Sequence, residues 1–237
     1  MTEDCHSDRM PGASSTQVRE VGSIQAMRLD HMSYACTSGE LADVVQRIGS
    51  DLGATFQDGG RHPQFGTRNF ILPLAGGCYV EVVSALDHPA AEKAPFGQAV
   101  SRRASDGGGW LSWVVAVDDI TPLESRLGRE ARAGHRIRPD GHDLNWKQIG
   151  VLDVMADPQL PFFVEWGCNT EEHPSAGAGP VSVDRIEIAG DPDTISAWLG
   201  EPKDHPLDDI EIDWVDAEEP GIVAVWFQTP QGSIRID

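Results

Sequence analysis

Apolar and polar positions change period several times along the chain. Over 27–36, MRLDHMSYAC alternates as a half-buried strand does. In SGELADVVQRIGSDLG, Leu41, Val44, Val45, Ile48 and Leu52 recur at helical spacing, with Ser38 as N-cap and Gly53 as the stop. ATFQD, TRNFILPL and CYVEVVSAL return to strand spacing, and AGG joins the last two as a hairpin turn. The predicted order is strand, helix, three strands.

That order restarts twice. A linker over 87–109 carries AAEKAPFGQAVSRRAS, of helical character, and a turn-rich DGGG. WLSWVVAV (110–117) then reads as a strand, and DDITPLESRLGREA as a helix with an Asp cap and Pro in its first turn. DLNWKQIGVLDV and LPFFVEWG read as closing strands. After the joint HPSAGAGP come the strand VSVDRIEIAG and the helix DPDTISAWLG, with Asp191 as cap. Two strands, GIVAVWFQ and GSIRID, finish the chain around a TPQG turn. The expected division is a disordered leader over 1–25 and modules over 26–86, 110–168 and 180–237. Aligned as copies, His31 falls on Trp113 and Arg185, and Glu81 on Glu165 and Arg235. A repeated supersecondary unit buries its face by pairing with another copy.

Charge narrows the partners. With 38 acidic against 18 basic residues the net charge is -20, a field that repels phosphate backbones and anionic membranes. The expected partner is a small molecule, with no nucleic acid and no membrane, for a monomer or homodimer. No apolar run reaches the ~18 residues of a membrane span. The N-terminal stretch lacks the apolar core of a signal peptide. The four cysteines form no CxxC pair, so the chain reads as a reduced cytoplasmic protein.

Glu81 is a lone carboxylate among Tyr79, Val80, Val82 and Val83. Alternation sends Val80 and Val82 toward the helix and Glu81 to the opposite, concave face. Glu165 matches it across the repeat. His31 reads either as a ligand or as a hydrogen-bonded core histidine. His62 and Asn69, in GRHPQFGTRN, read as substrate contacts or as loop braces. Trp113 and Trp146 form either a flat pocket wall or ordinary core.

A tandem β-α-β-β-β unit carrying LDHMSYA, GGRHPQFGTRN, YVEVV and LPFFVEWG resembles the vicinal oxygen chelate superfamily, and within it the glyoxalase-like domain family. The resemblance implies an α+β fold in which two modules form a cup, as in glyoxalases and bleomycin-resistance proteins, followed by a third, degenerate module. It places metal ligands at His31, Glu81, Trp113 and Glu165. Indole only donates, which leaves His31, Glu81 and Glu165. One imidazole and two carboxylates suit Zn²⁺, Mn²⁺, Ni²⁺, Co²⁺ or Fe²⁺ with open positions for substrate oxygens. A glutamate that released the metal would act as base, making Glu81 and Glu165 the catalytic candidates and His62 a possible second imidazole. The implied function is a divalent-metal-dependent isomerase or lyase acting on a small oxygenated substrate. The alternative is a metal-free protein that binds and sequesters a small molecule. The third module, with Arg185 and Arg235, is expected to hold a salt-bridged or docking face rather than a site.

Overall fold

The computed structural model describes residues 27–207 and 209–237; the expected leader lies outside them. The first half runs β1 (Arg28–Ala35), α1 (Leu41–Leu52), β2 (Gln57–His62), β3 (Thr67–Leu74) and β4 (Cys78–Ala85). Two helices follow, α2 (Pro89–Lys93) and α3 (Pro95–Ser105). The second half is β5 (Gly109–Ala116), α4 (Thr121–Leu127), β6 (Arg132–Ile137), β7 (Asp143–Ile149), α5 (Val151–Ala156) and β8 (Phe162–Trp166). The C-terminal part is β9 (Ser182–Ala189), α6 (Pro192–Leu199), β10 (Glu211–Val215), β11 (Gly221–Thr229) and β12 (Gly232–Ile236).

The two halves repeat one strand order. β1 lies beside β4 in parallel, and β3 and β2 follow antiparallel; β5, β8, β7 and β6 do the same. The halves do not merely lie side by side as a cup. β1 pairs antiparallel with β5, and β2 meets β6 at Arg61 and Ile137, so eight strands close into a barrel. The β2–β6 seam depends on Gly60, whose φ is 101°. A Cβ there would stand 2.1 Å from the Ile137 carbonyl oxygen.

The main apolar core sits outside this barrel, and two smaller clusters pack inward-facing strand residues against Val154 of α5 and Val100 of α3. Met32, Val80, Val82, Trp113, Val115 and Phe163 point outward and meet Ile48 and Leu52 of α1, Leu123 of α4 and one face of the C-terminal sheet. That sheet contributes Ile186, Ile188, Val225 and Phe227. Tethers reinforce the docking: Trp110 Nε1 donates to the Ile236 carbonyl at 3.0 Å and Trp198 Nε1 to the Pro161 carbonyl at 2.8 Å.

Four expectations need correction. The C-terminal part is not a third copy, because its strand order is β10-β9-β11-β12, with β9 and β10 joined in parallel through α6. β12 therefore never neighbours β9, and Arg235 is not the counterpart of Glu81. Its open face is salt-bridged as expected, through Arg185 to Asp213 at 2.9 Å and Arg235 to Glu187 at 2.7 Å. Secondly, the stretch expected to continue a strand through GVLDV turns at Gly150, with φ 100°, into α5. Thirdly, β6 and β10 have no counterpart in the predicted elements. Lastly, Ser38 does not cap α1: its hydroxyl donates to the Ala85 carbonyl, and the N-cap position is Glu40. Asp191 does cap α6, accepting from the Asp193 amide at 3.1 Å.

Candidate active site

With the main apolar core outside, the inward positions of the strands line a pocket. Its polar wall is His31, His62, Asn69, Glu81 and Arg136; its flat wall is Tyr79, Trp146, Phe162 and Trp166. In β4 the alternation holds: Val80 and Val82 enter the core, and Tyr79 and Glu81 face the pocket.

Glu81 is buried, and each oxygen receives one donor. Ser33 Oγ donates to Oε2 at 2.7 Å, across the parallel β1–β4 register that sets Ser33 beside Glu81. Asn69 Nδ2 donates to Oε1 at 2.7 Å. Burial pushes this carboxyl up, but nearby His62 and His31 and the two donated hydrogen bonds outweigh it and hold it below its ordinary value. Glu81 is therefore a buried carboxylate, with lone pairs to spare.

His31 is held from behind. Between Leu29 and His31 the β1–β5 register slips, leaving Asp30 as an extra residue in a bulge that re-aims it. Asp30 is fully buried and accepts from His31 Nδ1 at 2.7 Å, Trp166 Nε1 at 3.0 Å and His173 Nε2 at 3.1 Å. The Ser175 amide donates to His173 Nδ1, so His173 carries its proton on Nε2. Burial pushes the Asp30 carboxyl up, yet the hydrogen bonds from His173 and His31 bring it well below the usual carboxylate range. Asp30 thus fixes the proton of His31 on Nδ1. Nε2, whose lone pair is then free, belongs to a ring that lines the pocket. Tyr79 stacks on the same ring, centroids 4.5 Å apart and planes at 15°. Burial raises the Tyr79 phenol well above its ordinary value, so it stays a neutral donor.

His62 ends β2, and its Nδ1 lies 2.8 Å from Thr67 Oγ1. Burial lowers its pKa to about 4, so the ring is neutral near pH 7. Trp146 lies flat over Gly134, where a Cβ would come within 2.5 Å of the indole, and its Nε1 donates to Gln148 Oε1 at 2.7 Å.

Two expected site residues lie elsewhere. Glu165 shares the outer side of β8 with Phe163, while Phe162, Val164 and Trp166 face inward. Its carboxylate accepts from the Ile120 amide, at the start of α4, and from Lys147 Nζ, both at 2.8 Å. Trp113 is wholly buried in the outer core, and its Nε1 donates to the Gln159 carbonyl at 2.9 Å. Facing His31 across β1 and β5 is Val114. The donor set expected for a divalent metal is therefore not assembled. Of its three members only His31 and Glu81 reach the pocket, and His31 Nδ1 and both Glu81 oxygens already make hydrogen bonds. Among the described residues no group of three His, Cys, Asp or Glu is placed to hold a metal.

Asp30, Ser33, Tyr79, Arg136, Trp166 and His173 were not singled out from the sequence. Tyr79 was within reach, because it shares the alternation of Glu81. Ser33 was too, two residues after His31 in a strand that the sequence showed, and Trp166 closes another such strand, whereas Asp30, Arg136 and His173 depend on a bulge, an unrecognised strand and a long connection.

The family model described as the glyoxalase-like domain matches residues 29–203. No curated protein matches the chain. A hypothetical protein from Staphylococcus aureus of known structure aligns with a TM-score of 0.65 at 14% identity, over 89% of this chain and 99% of its own. Methylmalonyl-CoA epimerase from Mycobacterium tuberculosis aligns at 0.39 and 17% identity, over 58% of this chain and 85% of its own. A Streptomyces coelicolor methylmalonyl-CoA epimerase variant in complex with 2-nitronate-propionyl-CoA aligns at 0.37 and 14%, over 59% and 95%.

Proposed function

The chain belongs to the glyoxalase-like domain family, and on that premise we propose that the barrel interior is the active site of an enzyme. Its reaction is isomerase- or lyase-type proton transfer on a small, flat, oxygenated molecule. The observation that carries this reading is the Asp30–His31 pair: a buried carboxylate, given three donors, fixes one nitrogen of a pocket-lining imidazole. His31 is the general base. A C–H next to a carbonyl gives its proton to Nε2, and Asp30 faces the positive charge as it forms on the ring. The neutral Tyr79 phenol is a hydrogen-bond donor for the oxygen that becomes negative. Glu81, kept ionised, is a second catalytic base on the same wall of the pocket. Asn69 fixes Glu81, and Trp146, with Trp166 at 5.3 Å between centroids, holds a flat substrate. The steps use these side chains alone, because the three-residue metal set does not form.

A second reading, binding without turnover, is favoured by the aromatic wall and separates cleanly from the first. The test is incubation of the protein in D₂O with a panel of 2-oxo acids and α-hydroxy ketones, followed by ¹H NMR. The expected result is loss of the α-proton signal from at least one compound, slowed about 10²–10⁴-fold in His31→Gln. Saturable binding with no exchange would leave the binding reading in its place.

A further inference from the structure

We infer that Arg136 is the anchor for a carboxylate on the ligand, so that the pocket takes a small, flat monocarboxylic acid. This deepens the reading of the barrel interior as a ligand site and does not depend on proton transfer there.

Arg136 points inward from β6 and is 3% exposed. A guanidinium brings five N–H donors and a permanent charge. Here a single hydrogen bond is spent, from Nη1 to Asn69 Oδ1, and it is long at 3.5 Å. Nε is buried and has no partner among the described residues. No carboxylate of the described residues lies within ion-pair distance of it. Glu81, on the same pocket wall, is separated from it by Asn69, whose amide donates to Glu81 on one side and accepts from Arg136 on the other. Burying an uncompensated cation is costly, and folding alone gives nothing in return. The chain also makes room for it. A Cβ on Gly59 would stand 2.8 Å from Arg136 Nη1 and 2.1 Å from Asn69 Oδ1.

The missing counter-charge is supplied by a ligand. The planar fork of arginine matches a carboxylate in bidentate fashion. The ionised Glu81 on the same wall disfavours a dianion such as phosphate. Tyr79, Phe162 and Trp166 give the remainder of the ligand a flat apolar bed.

The probes are benzoate, its neutral isostere benzamide, and inorganic phosphate, with binding followed by calorimetry and thermal shift on the full chain. Benzoate should bind wild type more tightly than either of the others. Arg136→Met should weaken benzoate about 10- to 100-fold and leave benzamide unchanged. Arg136→Lys should fall between. Without ligand, Arg136→Met should melt about 2 °C or more above wild type, because a buried charge without a partner is removed. Glu165→Gln, on the outer face of β8, should keep benzoate affinity within about twofold. Deuterium exchange in His31→Gln tests the catalytic reading separately, whatever the benzoate result. Benzamide or phosphate binding as tightly as benzoate would overturn the assignment. So would benzoate affinity unchanged in Arg136→Met, or an Arg136→Met protein that melts far below wild type, since the guanidinium would then be a structural brace.

Discussion

His62 shows how a single side chain ties the pocket to stability. Its folded-state pKa is about 4, against 6.5 for the free side chain, because burial disfavours the charged ring. Below pH 6.5 the unfolded chain takes up a proton that the folded chain refuses. The stabilisation is complete above pH 6.5 and lost as pH falls toward 4. Urea midpoints of wild type and His62→Gln should therefore converge between pH 7.5 and pH 4.5 by about 2–3 kcal/mol. Parallel pH profiles would show that His62 is not held neutral. The two glutamates illustrate what one residue of register decides. Alternation read from CYVEVV placed Glu81 correctly, because its flanking valines mark the outer face. In FFVEW both sides of the strand are apolar, so no pattern separated inside from outside, and matching the acids across the repeat put Glu165 on the wrong face. A slip of one position exchanges every side chain between pocket and exterior.

At the scale of elements, the parts hidden in the sequence are those whose inward positions are not apolar. β6 reads RAGHRI, and its inward residues are Gly134 and Arg136, so no alternation betrays a strand. The pocket's buried arginine was hidden with it. β10 is a short strand at the edge of its sheet, and its apolar residues are only partly buried. By contrast β1, α1, β3 and β4 carry the full period of their type and were legible to within a few residues. The β2–β6 seam is the weakest closure of the barrel, resting on a single register pair. Gly60→Ala there meets both a disfavoured φ and the Ile137 carbonyl. It should cost about 2 kcal/mol or more in denaturant unfolding. An unchanged midpoint would mean that β2 and β6 are not held together at that point.

At the scale of the whole molecule, the barrel and the C-terminal sheet share one apolar cluster. Trp113 and Phe163 belong to it from the barrel, and Ile188 and Phe227 from the sheet. The likeness between the first two halves was legible in the sequence, but the relation of the third part was not. Element order is local information, whereas strand order depends on which edge each strand finds. A shared cluster predicts one calorimetric transition, with calorimetric and van't Hoff enthalpies equal. Two resolved transitions would mean that the C-terminal sheet is an independent appendage. The same architecture puts the main apolar cluster outside the barrel and leaves room inside for polar groups, where Asp30, reached by His173 from the loop between barrel and sheet, sets the tautomer of His31. The most direct test of that arrangement is the rate of deuterium incorporation into an exchanging substrate by wild type, Asp30→Asn, His31→Gln and Glu165→Gln, all held below their melting temperatures. The account predicts losses of about 10²-fold or more for Asp30→Asn and His31→Gln and a wild-type rate for Glu165→Gln. A wild-type rate in His31→Gln, or a collapse in Glu165→Gln alone, would contradict it.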